Sequence, residues 1–158
     1  GGSVMGNEGI KAGMKIRCRV NRTLDEGDFS FLHSFTWFNM PVHCDAEYGK
    51  KSWFRERSLA APCIFVVADG LVHCGDNVST FLEQYGFFIY AYVGVENVKI
   101  TRPVMFGDTL RAEAEVADFR ATKNPDRCVF SYTNKTYNQR NELVIEYTSS
   151  IIIAKLEQ

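Results

Sequence analysis

The sequence predicts a single α+β domain in which helices cover one face of an antiparallel sheet. Helical signals fill the first half of the chain and include one segment that is apolar on all sides. Alternating apolar and polar side chains fill the second half, which is typical of antiparallel strands. A length of 158 residues fits one domain with a core large enough to fold without disulfides or metal.

The first predicted elements are a short strand and a capped helix. Charged and apolar side chains alternate over Lys15–Val20, which indicates a strand. Asp25 is suited to be the N-cap of the helix that follows, and Asp28 completes a capping box with it. We expect this helix to run from about Glu26 to Thr36. Pro41 prevents the helix from continuing, so the segment around it is predicted to be irregular.

The second predicted helix is the apolar one, over Pro62–Val72. Its β-branched residues would also allow a strand. A helix is favoured because Pro62 suits a first helical position, the segment is long for a strand, and Gly75 lies where a helix would end. A helix that is apolar on all sides is expected to be buried.

The second half of the chain predicts long antiparallel strands joined by turns. Phe87–Val104 is aromatic and β-branched, and Leu110–Val116 alternates strictly until Ala117. Two further strands are predicted over Arg127–Tyr137 and Leu143–Ala154. The segments between the strands contain the Gly, Pro, Asn and Asp residues that turns require.

An antiparallel sheet that curves around one apolar helix has the geometry of a hotdog fold. We therefore predict one hotdog domain, preceded by a flexible extension or tag remnant over residues 1–12. Such a sheet keeps open edges, and pairing with a second copy is a common way to cover them. A homodimer or a higher even oligomer is expected.

Composition and motifs exclude several classes of function. A formal net charge of −1 excludes a broad basic surface for nucleic acid. The chain contains no apolar run of the roughly 20 residues that a membrane helix needs. Five widely spaced cysteines and no signal peptide predict free thiols in the cytoplasm. No zinc-like spacing or phosphate-binding glycine loop is present, so neither a metal nor a cofactor is expected.

His43 is the strongest candidate for proton transfer among the three histidines. It follows Pro41 in the predicted irregular segment, close to Asn39 and Cys44. His33 falls within the first predicted helix and His73 near the end of the apolar one, and we expect each of them to be structural or to face solvent.

Two segments resemble motifs of the MaoC-like dehydratases. Phe35–Tyr48 contains a sequence similar to the hydratase motif T-G-D-x-N-P-x-H-x-D, and Val98–Leu110 is similar to V-x-F-x-x-P-V-x-x-G-D-x-L. Arg22–Asp28 and Tyr137–Glu146 also fit, the latter especially in the mesaconyl-CoA-hydratase-like branch. The resemblance covers about residues 13–155 and implies a hotdog domain that acts on acyl-CoA or acyl-carrier thioesters.

The resemblance also implies a reaction, the reversible syn addition of water across a trans-2-enoyl thioester. In that family an Asp and a His share the water, and a backbone N–H at the start of the buried helix binds the thioester oxygen. Carried over to this chain, His43 is the base and Ala61 provides the N–H. The position of the Asp is occupied by Phe38, which cannot transfer a proton.

The resemblance places five further residues around the substrate. These predicted substrate-binding residues are Phe38, Asn39, Met40, Asp45 and Ala60. Asn39 and Asp45 are close enough in sequence to substitute for the lost acid. Basic candidates for the CoA phosphates are Lys99, Arg102, Lys123 and Arg127.

Three functions remain open at this point. The first is hydration of a 2-enoyl thioester, in which CoA is part of the substrate and no separate cofactor is needed. The second is an acyl-CoA-binding protein that has lost hydration, with Phe38 and Met40 filling space. The third is an acyl-CoA thioesterase that uses Asp69, the carboxylate on the apolar helix.

Overall fold

The computed structural model describes residues 9–75 and 77–157. Within these ranges it contains five helices and six strands, and the predicted α+β class is confirmed. In chain order the elements are β1 (Lys15–Ile16), β2 (Arg22–Thr23), α1 (Glu26–Thr36), α2 (Pro41–Cys44), α3 (Ala46–Lys51), α4 (Ala61–Leu71), α5 (Val78–Gln84), β3 (Phe87–Ile100), β4 (Thr109–Ala121), β5 (Arg127–Tyr137) and β6 (Leu143–Lys155).

The strands form an antiparallel sheet in the order β1-β4-β5-β6-β3, and β2 also pairs with β4. Helix α4 packs against β4, β5 and β6. The inward side chains of these strands and one side of α4 form the core, as in a hotdog domain. The long strand β3 is left at one edge of the sheet.

The predicted strands of the second half are confirmed. The inward residues of β4, Leu110, Ala112, Ala114 and Val116, are all buried. The pairing of β4 with β5 shifts register between Val116 and Asp118. A bulge of this kind places one residue out of alternation, and this explains why the alternating pattern lapses at Ala117.

In the first half of the chain, the structure confirms α1, but the strand before it is shorter than predicted. Asp25 and Asp28 form the predicted capping box, with Asp28 N–H donating to Asp25 at 2.9 Å. Only Lys15 and Ile16 of the predicted strand pair with β4. The structure also places the side chain of Ile10 in the core, three residues before the predicted domain boundary. Residues 1–8 of the predicted extension lie outside the described residues.

The segment predicted to be irregular contains two short helices, α2 and α3. Pro41 occupies the first position of α2, where its missing N–H costs nothing. Asp45 then caps α3 by accepting from the N–H groups of Glu47 and Tyr48 at 2.9 and 3.1 Å. The prediction for this segment was therefore wrong, because these short helices begin at a single favourable residue, Pro41 or Asp45, and have no long periodic pattern.

The predicted apolar helix is confirmed as α4, but it is buried on one side only. Cys63, Ile64 and Ala68 are in the core, whereas Val66 is 54% exposed. This exposed apolar side chain indicates that α4 has a second, uncovered face in the single chain.

Two global properties of the described residues bear on the predictions above. None of the helices in residues 9–75 and 77–157 has the length and apolar character that crossing a bilayer requires. All five cysteines are free thiols.

Candidate active site

A cavity of about 450 Å³ opens at the N-terminal end of α4. Residues from α2, from the start of α4 and from the segment after β3 meet in its wall. Most of the lining side chains are apolar, with a few polar groups among them, which is typical of a small-molecule site. The predicted site residues Met40, His43 and Ala61 all line this cavity.

The contacts of His43 fix the form of its ring. Its Nδ1 lies 2.8 Å from the backbone carbonyl oxygen of Ser58. A carbonyl can only accept, so Nδ1 carries the proton and donates it to Ser58. In this tautomer Nε2 is the unprotonated nitrogen, which is the form that a general base requires.

The start of α4 offers one backbone donor to the same cavity. The Ala60 N–H donates to the His33 side chain, and the Cys63 and Ile64 N–H groups both donate to the Ala60 carbonyl. Pro62 has no N–H. The N–H of Ala61, the first residue of the helix, has no partner within the helix and lies at the positive end of its dipole.

His33 joins α1 to both of these groups. Its ring is buried, its Nε2 accepts from Ala60 N–H at 3.0 Å, and its centroid lies 5.0 Å from that of His43. Burial, aided by the nearby His43 and Arg57, lowers the pKa of His33, and a hydrogen bond with the His43 backbone opposes this shift. His33 is therefore a neutral structural residue of the site, and it does not face solvent.

The other predicted substrate-binding residues do not line the cavity. Phe38 is half-buried and packs against the core, and Asn39 is exposed. The side chain of Asp45 caps α3, and Ala60 is buried with its N–H bonded to His33. The substrate contacts of these four residues stay predictions. None of the residues that line the cavity carries a carboxylate.

Of the basic residues predicted to meet CoA phosphates, Arg102 is the one that lines the cavity. It pairs with Glu142 at 2.8 Å, and its side chain is half-exposed. Arg127 lies at the opposite end of β6, paired with Ala154, and its guanidinium lies 3.9 Å from the centre of the Tyr90 ring. Lys123, in the turn before Arg127, belongs to that distant end as well.

A second polar group, which the motifs did not indicate, lies between α4 and the sheet. Asp69 Oδ1 accepts from the hydroxyls of Tyr132 and Tyr147 at 2.8 and 2.6 Å. Asn134 donates to Tyr147 at 2.9 Å, and His73 Nε2 bonds to Tyr132. Burial and the nearby Asp69 raise the pKa of both tyrosines. Polar side chains at inward positions of β5 and β6 were the available signal, since such groups need buried partners.

Comparisons with known proteins were made for both the sequence and the fold. The family described as FAS1-like, dehydratase domain region, matches residues 25–147. No curated protein sequence gives a significant match to the chain.

Solved structures share the whole fold. A monoamine oxidase regulatory protein from Archaeoglobus fulgidus is 30% identical, with a TM-score of 0.79 over 95% of this chain and 94% of its own. A MaoC-like dehydratase from Rhodospirillum rubrum is 19% identical, with a TM-score of 0.79 over 96% and 97%. An (R)-hydratase from Pseudomonas aeruginosa is 21% identical, with a TM-score of 0.68 over 94% and 89%. At these lower identities the likeness shows the fold alone.

Proposed function

The chain belongs to the family described as FAS1-like, dehydratase domain region, and it shares the fold of the MaoC-like dehydratases. On that premise we propose that it hydrates a 2-enoyl thioester linked to CoA. The reverse reaction, dehydration of a 3-hydroxyacyl thioester, uses the same groups. One observation carries the proposal. The His43 ring, held with Nδ1–H on the Ser58 carbonyl, lines the same cavity as Ala61 at the start of α4.

In the proposed mechanism, the thioester carbonyl oxygen accepts from the Ala61 N–H. The dipole of α4 then stabilises the negative charge that develops on this oxygen. His43 Nε2 removes a proton from water, and the water oxygen bonds to C3 of the substrate. The electrons of the double bond move toward the thioester, and C2 takes a proton. The net change is the addition of one water molecule.

The absent carboxylate determines how the second proton must move. With Phe38 at the position of the family's Asp, we assign both transfers to His43: the imidazolium formed in the first step returns its proton to C2. Both additions then occur on one face of the double bond, which agrees with syn addition. Losing a positioned acid typically costs about 10²–10⁴-fold in rate, so we expect slower turnover than a complete dyad gives.

A second copy of the chain is the proposed partner. Strand β3 has no neighbour on its outer edge among the described residues. Eight of the nine residues from Tyr92 to Ile100 are exposed, and Val66 of α4 is exposed as well. Five of these eight are apolar: Tyr92, Val93, Val95, Val98 and Ile100. An open edge with apolar flanks is covered most simply by a second β3, which gives a homodimer or a higher even oligomer.

The location we propose is the cytoplasm. The five cysteines are free thiols, two of them buried. Such usage fits a reducing compartment.

The thioesterase alternative is less well supported. A thioesterase would need a carboxylate able to activate water beside the thioester. Asp69 does not line the cavity that contains His43, and its Oδ1 already accepts from two tyrosine hydroxyls. The acyl-CoA-binding alternative rests on the absence of a carboxylate from the cavity.

One assay separates the three readings. Purified protein is incubated with short, long and branched trans-2-enoyl-CoA thioesters, and both the conjugated double bond and the free thiol are followed. We expect loss of the double bond without thiol release. Thiol release would support a thioesterase, and binding of the thioesters with neither change would support the acyl-CoA-binding reading.

A further inference from the structure

A second cavity adjoins the one that contains His43. Its volume is about 440 Å³, and it is lined by Tyr48, Lys51, Ser52 and Trp53. Val42 and Phe54 line both cavities. A ligand that fills the first cavity could therefore extend into the second across these two side chains.

The second cavity presents an aromatic surface that packing does not explain. Trp53 is 91% exposed, and Tyr48 is half-exposed beside it. Exposed aromatic side chains that are grouped in the wall of one cavity are suited to stacking against a ligand. The same loop contains Arg55 in the left-handed region, with φ 64°. Strained backbone of this kind is concentrated at binding sites.

Two cations belong to this region: Lys51 lines the second cavity, and Arg55 follows Phe54 in the chain. Lys50 pairs with Glu47 at 2.5 Å and Arg57 pairs with Glu26 at 3.3 Å, so these two are engaged. Among the described residues, Lys51 and Arg55 form no ion pair. Unpaired cations beside an exposed indole ring are the groups that a nucleotide requires: a face for the base and charge for the phosphates.

We propose that the second cavity binds the nucleotide end of CoA, an inference that rests on the proposed function. The adenine stacks on Trp53 and the phosphates contact Lys51 and Arg55. The pantetheine arm crosses Val42 and Phe54 and brings the thioester to His43 and Ala61. An acyl-carrier protein has no nucleotide and would make no use of this surface, so the site assigns CoA as the carrier.

The test measures binding by calorimetry, without any turnover. The probes are free CoA, adenosine 3′,5′-bisphosphate and pantetheine. Trp53→Ala is compared with Trp37→Ala, a control that removes the other tryptophan, which is 84% exposed and lines neither cavity. Stacking of a base on an aromatic ring is worth about tenfold in affinity. We therefore expect Trp53→Ala to lower the affinity for CoA and for the bisphosphate by ~10-fold. Pantetheine binding and the control should be unchanged.

A second variant tests the charges. Lys51→Ala should lower the affinity for the bisphosphate several-fold and make that affinity less dependent on salt concentration. Pantetheine binding should again be unchanged. Equal affinity of wild type and Trp53→Ala for CoA would overturn the proposal, as would failure of the wild type to bind the bisphosphate.

The test of the nucleotide site can be distinguished from the test of the proposed hydratase activity. Trp53-dependent CoA binding without hydration would support the nucleotide site and contradict the hydratase. Hydration of a 2-enoyl-CoA thioester by a chain whose affinity for CoA does not depend on Trp53 would contradict the nucleotide site and support the hydratase.

Discussion

At the residue scale, the backbone carbonyl of Ser58 decides which nitrogen of His43 can act as a base. The 2.8 Å contact keeps the proton on Nδ1 and leaves Nε2 for water. The sequence singles out His43 through Pro41 and the resemblance, yet it contains no signal for this contact. Ser58 lies 15 positions away in a segment without a periodic pattern.

Restoring an acid at residue 38 should raise the rate of hydration. Phe38→Asp supplies a carboxylate at the position of the family's Asp, and we expect up to ~10²-fold faster turnover. Phe38→Asn is the matched control, because it loses the same packing against the core but cannot transfer a proton. Initial rates on one 2-enoyl-CoA compare the two. Equal rates for the Asp and Asn variants would show that residue 38 does not reach the reacting carbon.

His33 should make stability depend on pH. Its pKa is lowered from 6.5, chiefly by burial, so the folded state favours the neutral ring. The unfolded chain then binds more protons in the acid range, and stability decreases there. The contribution is complete above about pH 6.5 and is lost as the pH falls from there through the lowered pKa.

Urea unfolding from pH 8 to pH 5 measures this effect. As the pH falls, the free energy of unfolding should decrease more for wild type than for His33→Gln. The glutamine side chain can accept from Ala60 N–H but does not titrate. Parallel curves for the two proteins would contradict a titrating His33 in the folded site.

The contact of His33 with Ala60 could not be predicted from the sequence. Each residue fits its own helix signal, but the two are 27 positions apart. Their meeting depends on how α1 packs against α4, and no local pattern encodes that.

At the scale of elements, the N-terminus of α4 provides the Ala61 N–H that we propose binds the thioester oxygen. Ala60 has φ −58° and ψ 134°, an extended conformation that a following proline accepts. Proline is also favoured at the first helical position, which Ala61 occupies. The backbone there can therefore lose its N–H without losing the helix.

Ala61→Pro uses this property to test the oxyanion donor. We expect kcat to fall by about 10²–10³-fold, since one donor to the developing charge is removed. Circular dichroism should show that the helix content is unchanged. Ala61→Val is the control, because it adds similar bulk and keeps the N–H. A proline variant as active as the valine variant would mean that another group binds the thioester oxygen.

The elements that the sequence predicted well are those with long patterns. The strands β4, β5 and β6 are 11 to 13 residues long and alternate over much of their length, and α1 has a complete capping box. The helices α2, α3 and α5 have four to seven residues and were not predicted. Helices this short are marginal in isolation and form because caps such as Asn77 and tertiary contacts hold them.

At the scale of the whole molecule, the open edge at β3 predicts association. Val95→Lys with Val98→Lys places two charges where a second copy would pair. Light scattering should give wild type twice the 18.0 kDa of one chain, and the double variant the mass of one chain. Val20→Lys is the control, a valine of similar exposure (39%, against 40% and 43%) that lies outside β3. A monomeric wild type, or a double variant that stays dimeric, would contradict pairing through β3.

The overall fold followed from the sequence because its two halves differ so clearly in pattern. The cavity did not, since its wall combines residues 40–64 with residues 100–103. The second half of β3 is exposed on both faces in the single chain. Its apolar composition predicted a strand but not an unpaired one, because sequence patterns do not distinguish burial by the same chain from burial by another.

The most direct test of His43 as the base is the hydration rate of His43→Gln on a trans-2-enoyl-CoA thioester. Glutamine can still donate to the Ser58 carbonyl but cannot accept a proton from water. Met40→Leu, which changes another residue of the same cavity while conserving its volume, is the control. We expect His43→Gln to lose at least ~10²-fold in kcat while Met40→Leu stays near wild type. A His43→Gln variant that hydrates the thioester as fast as wild type would contradict His43 as the base.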